Sequence, residues 1–340
     1  MVFSKDVETS GVKYIGSKKK LIPSIISILD SLNVEEKSII DVFTGTTRCA
    51  QAFRKLGYRV QASDLNWASE AYANTFLKNW SFVELQKAVN ILNNLPGKKG
   101  WLTEHYSSGA CQVFQEKNTK KADEVRDYID EHFKSIQYPL ITSLLYALDS
   151  VDSTVGVQQA YLKDWSFRSF NDLLLKVPGL IEDQPEGKFY LGDCLEVEYE
   201  KAEIAYLDPP YSPHNYQTYY HIFDSVFKND KPDVLLKTNR RSDRVGNKTT
   251  KSLWNSKASA LTATKMLIKK LPVKWVIMSY SNDSLIPEKE LMSFFYENYE
   301  GVQVREIDYK RNIMSQIGNV NLGEKEVKSR NKEFLIYFEK

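Results

Sequence analysis

Hydrophobic positions in this chain gather into short dense runs and longer periodic ones. Ser38–Phe43, Lys188–Leu191, Glu203–Leu207 and Lys274–Met278 are short and apolar, the mark of strands buried on both faces of a parallel sheet. Tyr58–Ser63 reads as a further strand and runs straight into Asp64. Val302–Ile307 and Glu333–Phe338 read as two antiparallel strands joined by a polar loop rich in Asn, Gly and Lys. Helices are predicted over Leu21–Leu29 and over Arg48–Leu56. The second is closed by Gly57, which suits the left-handed residue past a helix end. The first strand, the turn Thr44–Thr47, this helix, the second strand and its terminal acid make the opening unit of a nucleotide-type α/β fold.

Between Asn66 and Gly187 the pattern changes. Helical periods appear at about 81–95, 121–136 and 138–149, Trp67, Trp80, Trp101 and Trp165 fall here, and no parallel-strand run interrupts them. The expected organisation is an α/β domain made of residues 1–65 and 188–340, split between its second and third strands by a largely helical insertion at 66–187. No internal repeat is visible.

Composition narrows the class only a little. The 340 residues suit one large domain or two modest ones, and 20 Tyr and 6 Trp without a low-complexity tract argue against disorder. A net charge of +2 does not announce a nucleic-acid partner, so such a role must rest on local clusters. Cys49, Cys111 and Cys194 lack ligand spacing; neither structural zinc nor a disulfide framework is expected, and a reducing, cytoplasmic setting fits. Met1–Ser10 is polar with acids and no apolar stretch approaches ~18 residues, so neither a signal peptide nor a membrane span is expected.

The most informative chemistry is Asp208-Pro209-Pro210-Tyr211, directly after the strand 203–207. The prolines end the ladder and stiffen the turn, so an acid, two carbonyls and an aromatic ring protrude where open α/β sheets bind ligands. The Asp208 carboxylate and the Pro209 carbonyl can each accept from an exocyclic amino group while Tyr211 stacks on its ring; the bland alternative is a surface turn. Phe43-Thr44-Gly45-Thr46-Thr47 lacks G-x-G-x-x-G, yet Gly45 allows close backbone approach ahead of a helix N-terminus. Asp64 suits two ribose hydroxyls or a helix cap, and Asp193 an adenine amino group or a cap. Tyr14 with Lys18 four residues on suits a small polar ligand, or else is a basic helix start. Lys237, Arg240, Arg241, Arg244, Lys248 and Lys251 form the strongest basic cluster and read as a phosphate-contacting loop, with Lys117, Lys120 and Lys121 a lesser one. His214 and His221 flank the key turn and are expected to line it, without acting as bases.

Taken in order, these pieces resemble the D12 class of AdoMet-dependent DNA adenine-N6 methyltransferases, which includes the Dam type, over nearly the whole chain. Tyr14 and Lys18 fall on the family's N-terminal AdoMet motif; Phe43 and Gly45 fall on F-x-G-x-G, whose second glycine is here Thr47. Asp64 falls on the ribose-binding acid, 208–211 on the catalytic tetrapeptide, and Ile277–Asn282 on a later strand motif. The stretch from Ser212 to His221 resembles methyltransferases of bacterial restriction-modification systems.

The resemblance implies a Rossmann-like class I methyltransferase sheet, parallel with an antiparallel C-terminal strand, carrying a helical target-recognition insertion. It implies S-adenosyl-L-methionine (AdoMet) at Tyr14, Lys18, Phe43, Gly45, Asp64, Asp193 and Asp208, and catalysis by Asp208, Pro209, Pro210 and Tyr211 on a flipped-out adenine. Double-stranded DNA is the implied partner, held in part by Arg240, Arg241, Arg244 and Lys248, and a cognate restriction endonuclease would act on the same site. RNA adenine-N6 and cytosine-N4 transfer are the nearest alternatives, although N4 enzymes usually carry Ser at the position of Asp208. A silent nucleic-acid-binding module is the alternative of a different class.

Overall fold

The computed structural model describes residues 7–213, 215–234, 252–310 and 330–340. Seven strands form one sheet: β1 (Ser38–Val42), β2 (Arg59–Asp64), β3 (Lys188–Leu191), β4 (Ala202–Leu207), β5 (Val273–Ser281), β6 (Gln303–Lys310) and β7 (Arg330–Glu339). Their order is β3-β2-β1-β4-β5-β7-β6. Strands β1 to β5 pair in parallel, and β7 runs antiparallel to both β5 and β6. This is the expected mixed α/β sheet with antiparallel pairing at its C-terminal edge.

The helices are α1 (Ile22–Leu29), α2 (Arg48–Lys55), α3 (Trp67–Leu77), α4 (Phe82–Asn93), α5 (Trp101–Tyr106), α6 (Glu116–His132), α7 (Gln137–Val151), α8 (Tyr216–Tyr219), α9 (His221–Lys228), α10 (Ala260–Lys270) and α11 (Glu288–Asn298). The dense apolar runs are explained by burial on both faces. Ile39, Ile204, Tyr206, Ile277 and Leu335 point into a core shared with α1 and α2, whereas Ile40, Val42, Ala205, Leu207 and Met278 point into one shared with α10 and α11. Full burial of each such aliphatic side chain contributes roughly 1.5–3 kcal/mol.

A third core lies mainly among the helices between β2 and β3, α3 to α7, and also takes in α9, which follows β4. Helix α3 serves two cores, with Ala73 and Leu77 on the sheet side and Ala68, Ala71 and Tyr72 on the helical side. Arg54 fastens the place where the chain leaves the sheet and returns. Its guanidinium donates to the carbonyls of Phe76 (2.7 Å), Lys78 (2.8 Å), Pro185 (3.0 Å) and Gln184 (3.2 Å) and to Asn79 Oδ1 (2.6 Å).

Helix α6 starts at Glu116, before the periodic pattern predicts. Its first turn has no apolar stripe, and Asn118 supplies the reason: the side chain donates to the carbonyls of Ser169 and Asn171 and accepts from Leu173 N–H. Strand β5 extends to Ser281 because β7 pairs along its whole C-terminal half. Cys49, Cys111 and Cys194 are buried free thiols, and no helix among the described residues is long and apolar enough to cross a membrane.

Candidate active site

Strand β1 hands the chain to β2 on one side while β4 lies on its other side, so β1 and β4 border the switch point of the sheet. A cleft of about 680 Å³ opens at their C-terminal ends, and a narrower one of about 340 Å³ adjoins it. Tyr14, Gly16, Lys18, Phe43, Gly45 and Asp208 line both; Asp64, Pro209 and Pro210 line the larger. Residues separated by most of the sequence thus meet in one place.

Asp208 is the best-held group there. Its Oδ1 lies 2.9 Å from Lys18 Nζ and accepts from Tyr211 Oη at 2.7 Å and Ser279 Oγ at 3.0 Å. These contacts fall on one oxygen, so Oδ2 keeps lone pairs for a ligand. Lys18 is only 5 % exposed in its side chain; burial lowers its ammonium, yet Asp208 and Glu333 outweigh this and hold it above the ordinary value. Lys18 also donates to the Gly16 carbonyl at 3.2 Å and stands 4.5 Å from the centre of the Tyr211 ring.

The glycine turn is built as the motif requires. Thr47, at the motif's second glycine, has φ 60°, in the left-handed region that a β-branched residue rarely occupies. Gln51 Nε2 donates to its Oγ1 at 3.3 Å, and the residue is fully buried. Gly45 has φ 53°, and a Cβ there would stand 3.3 Å from the Tyr14 ring, so the ring lies flush on the turn. Asp64 ties the two strands: Oδ2 accepts from Gly45 N–H and Oδ1 from Asn66 N–H, both at 2.8 Å. Burial raises its carboxyl above the ordinary range, and the hydrogen bonds from Asn66, Gly45 and Leu65 work against that rise. Tyr14 stacks on Tyr220 (4.3 Å) and Tyr216 (5.6 Å), making an aromatic wall.

Some sequence expectations land elsewhere. Tyr211 does not line the larger cleft; its ring packs edge-on against Tyr280 at 5.3 Å and its hydroxyl is committed to Asp208 and Ser279. Asp193 lies in a side pocket with Phe43, Ser63 and Asp64, and its Oδ1 accepts from Leu195 N–H at 3.0 Å. Cys194 beside it packs in the core, where burial pushes its thiol up. His221 is buried in α9 against Tyr106 and lines neither cleft, contrary to expectation, because α9 turns that face towards the helical core. Lys117, Lys120 and Lys121 form no open cluster: the first two pair with Asp172 and Glu116, and Lys121 donates to the carbonyls of Asn93 and Leu95. His214 and the run from Lys237 through Arg240, Arg241, Arg244 and Lys248 to Lys251 lie outside the described residues.

The sequence assigned no site role to Ser279, Tyr216, Asn66 or Asn255, although Ser279 and Tyr216 fall within stretches that resemble the family. Ser279 is marked by its polarity inside an apolar strand and by its place in the strand motif 277–282. Asn66 Nδ2 donates to Tyr14 Oη at 3.3 Å, and Asn255 Nδ2 to the Ser212 carbonyl at 2.9 Å, closing the rim beyond the tetrapeptide.

Comparison with known proteins identifies the family. The chain is 30% identical over 323 residues to modification methylase StsI of Streptococcus sanguinis, covering 88% of this chain and 48% of that protein. It is 27% identical to type II methyltransferase M.NlaIII of Neisseria lactamica, covering 88% and 92% of the two chains, and 26% identical to M.FokI of Planomicrobium okeanokoites, covering 83% and 46%. It thus spans about half the length of StsI and FokI methylases and nearly all of the NlaIII enzyme. The model of the D12 class N6 adenine-specific DNA methyltransferases matches residues 14–293, from the Tyr14 wall through the tetrapeptide and β5, and the chain belongs to that family.

Proposed function

We propose that this protein methylates the N6 amino group of adenine in DNA, with AdoMet as methyl donor, as the modification enzyme of a restriction-modification system. The observation that carries the reading is the Asp208 carboxylate, anchored through Oδ1 by Lys18, Tyr211 and Ser279 in a cleft that Pro209 also lines. The residues fit the donor. Tyr14 and Phe43 offer aromatic surface, Asp64 a carboxylate for two ribose hydroxyls, Gly45 a turn without a side chain, and Lys18 and Asp208 a charged floor. Asp193 approaches from the adjoining pocket. When bound, AdoMet supplies an electrophilic methyl group on a cationic sulfur.

An adenine amino group is a weak nucleophile because its lone pair is delocalised into the ring. Asp208 and the Pro209 carbonyl each accept one N6 hydrogen and draw the nitrogen towards tetrahedral geometry. Both acceptors gain as positive charge develops on nitrogen, so they favour the transition state over the ground state. Pro210 stiffens the turn that fixes the two acceptors. Tyr211 contributes through its hydroxyl, which orients Asp208. A base inside a duplex must be flipped out to reach this cleft, at a few kcal/mol.

The helical segment 66–187 is the proposed target-recognition unit, supported by its place between β2 and β3 and by a core that it shares with α9. Phosphate contacts are assigned to Arg240, Arg241, Arg244 and Lys248 on charge alone. A DNA substrate favours a cytoplasmic location, and a cognate endonuclease would share the recognition sequence without binding this chain. The deciding experiment is mass spectrometry of nucleosides after incubation with AdoMet and unmethylated DNA. N6-methyladenine is the expected product; N4-methylcytosine as the sole product would show that the base is misassigned.

A further inference from the structure

Glu333 lies on β7, next to the strand that carries Ser279. It pairs with Ser281 on β5 and lies two residues from Leu335, which pairs with Ser279. Phe334, Ile336 and Phe338 enter the core under α10 and α11, while Leu335 enters the core under α1. By strand alternation Glu333 shares the face of Leu335, the face over which α1 and the preceding turn with Lys18 are packed. Its Oε2 is sealed from solvent and has no hydrogen-bond partner. A buried carboxylate oxygen without a partner is costly, and the cost is met either by a proton or by a compensating charge nearby.

We propose that Glu333 is a positioning residue that gives the Lys18–Asp208 pair a net negative charge and so balances the cationic methyl donor. The inference rests on the methyl-transfer reading above. Asp208 and Lys18 alone cancel. A second carboxylate leaves one negative charge in the cluster, matching the single positive charge that starts on the donor's sulfur. In the transfer the sulfur–methyl bond breaks with its pair going to sulfur, and the N6 lone pair forms the new bond. The same positive charge then rests on nitrogen until an N6 proton passes to water, so one anion serves throughout. A charge on Glu333 raises Lys18, Tyr211 and Tyr216, and the first two of these touch Asp208. Burial, with Asp208 adding to it, pushes Glu333 up to about 7 against the pull of Lys18, so a bound cation favours its ionised form.

The test compares a cationic ligand with its neutral counterpart. Full-length wild type and Glu333→Gln are titrated calorimetrically with AdoMet and with S-adenosyl-L-homocysteine, which lacks the sulfonium charge. A unit charge acting through a dielectric of about 20 is worth roughly tenfold in affinity, so Glu333→Gln is expected to weaken AdoMet by about tenfold and the homocysteine form by less than about twofold. Glu333→Asp, which keeps the charge, is expected to restore the ratio. Equal loss of both ligands, or no loss of either, overturns the proposal in favour of a structural role or none. If Glu333→Gln does not fold, Glu333→Ser takes its place as the charge-removing variant, with the same expected and overturning outcomes. Wild type that binds neither ligand overturns the methyl-transfer reading itself.

Discussion

The Lys18 ammonium stands 2.9 Å from the Asp208 carboxylate, joining a turn near the start of the chain to the end of β4. The pair is sheltered, with side-chain exposures of 5% and 18%, so it is screened far less than a surface ion pair. Its chemical value is to orient Asp208. Asp208→Asn keeps the shape and removes the charge, and single-turnover methylation is expected to slow by about 10³-fold or more. A rate within about tenfold of wild type would remove Asp208 from the chemistry.

Tyr211 separates into two parts that mutation can isolate. Its hydroxyl donates to Asp208 at 2.7 Å, so Tyr211→Phe is expected to lower kcat by roughly tenfold while leaving KM for DNA unchanged. Tyr211→Ala also empties the space between Lys18 and Tyr280 and should cost more. If Phe behaves like wild type and Ala alone is impaired, the ring matters and the hydroxyl does not.

Thr47 is strained where the family motif has glycine. With φ 60° and full burial, replacement by glycine relieves the left-handed backbone at the loss of two side-chain bonds, one donated to the Thr46 carbonyl at 2.7 Å and one accepted from Gln51 at 3.3 Å. Thr47→Gly is expected to leave stability unchanged or raise it by up to ~1 kcal/mol, with AdoMet binding intact. A denaturation midpoint that falls clearly would mean that the bonds to Thr46 and Gln51 outweigh the strain.

Arg54 makes five hydrogen bonds from a fully buried side chain and fastens both crossings between the sheet and the helical segment. Arg54→Met strands four carbonyls and an amide oxygen, for an expected loss of ~3–5 kcal/mol in urea unfolding. A loss below ~1 kcal/mol would show that water replaces the guanidinium there.

Stability should also depend on pH in an unusual direction. Burial pushes Asp41, Asp224 and Glu333 each up to about 7. Between the ordinary carboxylate range and about pH 7 the folded state therefore holds more protons than the unfolded chain. Their contribution is complete at low pH and is lost as pH rises through about 7. Unfolding free energy of the ligand-free protein is expected to fall by at least ~1 kcal/mol per unit from about pH 5 to 7 and then level off. A rise over that interval would mean these acids are ionised when buried.

The order of elements, the dense strands, the turn at Gly45 and the tetrapeptide at 208–211 were legible in the sequence because each depends on local chemistry: apolar runs, proline, glycine and an acid at a strand end. The same local character made Tyr14, Lys18 and Asp64 visible as candidates. Ser279 and Glu333 were not visible as site residues, since each sits on a late strand and reaches the site only through sheet pairing. Tyr211 was legible as a residue but not in its orientation, which depends on a hydroxyl meeting Asp208 and a ring meeting Tyr280. His221 went the other way, into a core whose members come from α5 and α9. What the sequence determined by itself was which groups stand at strand ends. Which of them meet was decided by the tertiary structure, because registers between distant strands and the packing of helices on them are set by whole-surface complementarity that no local window contains.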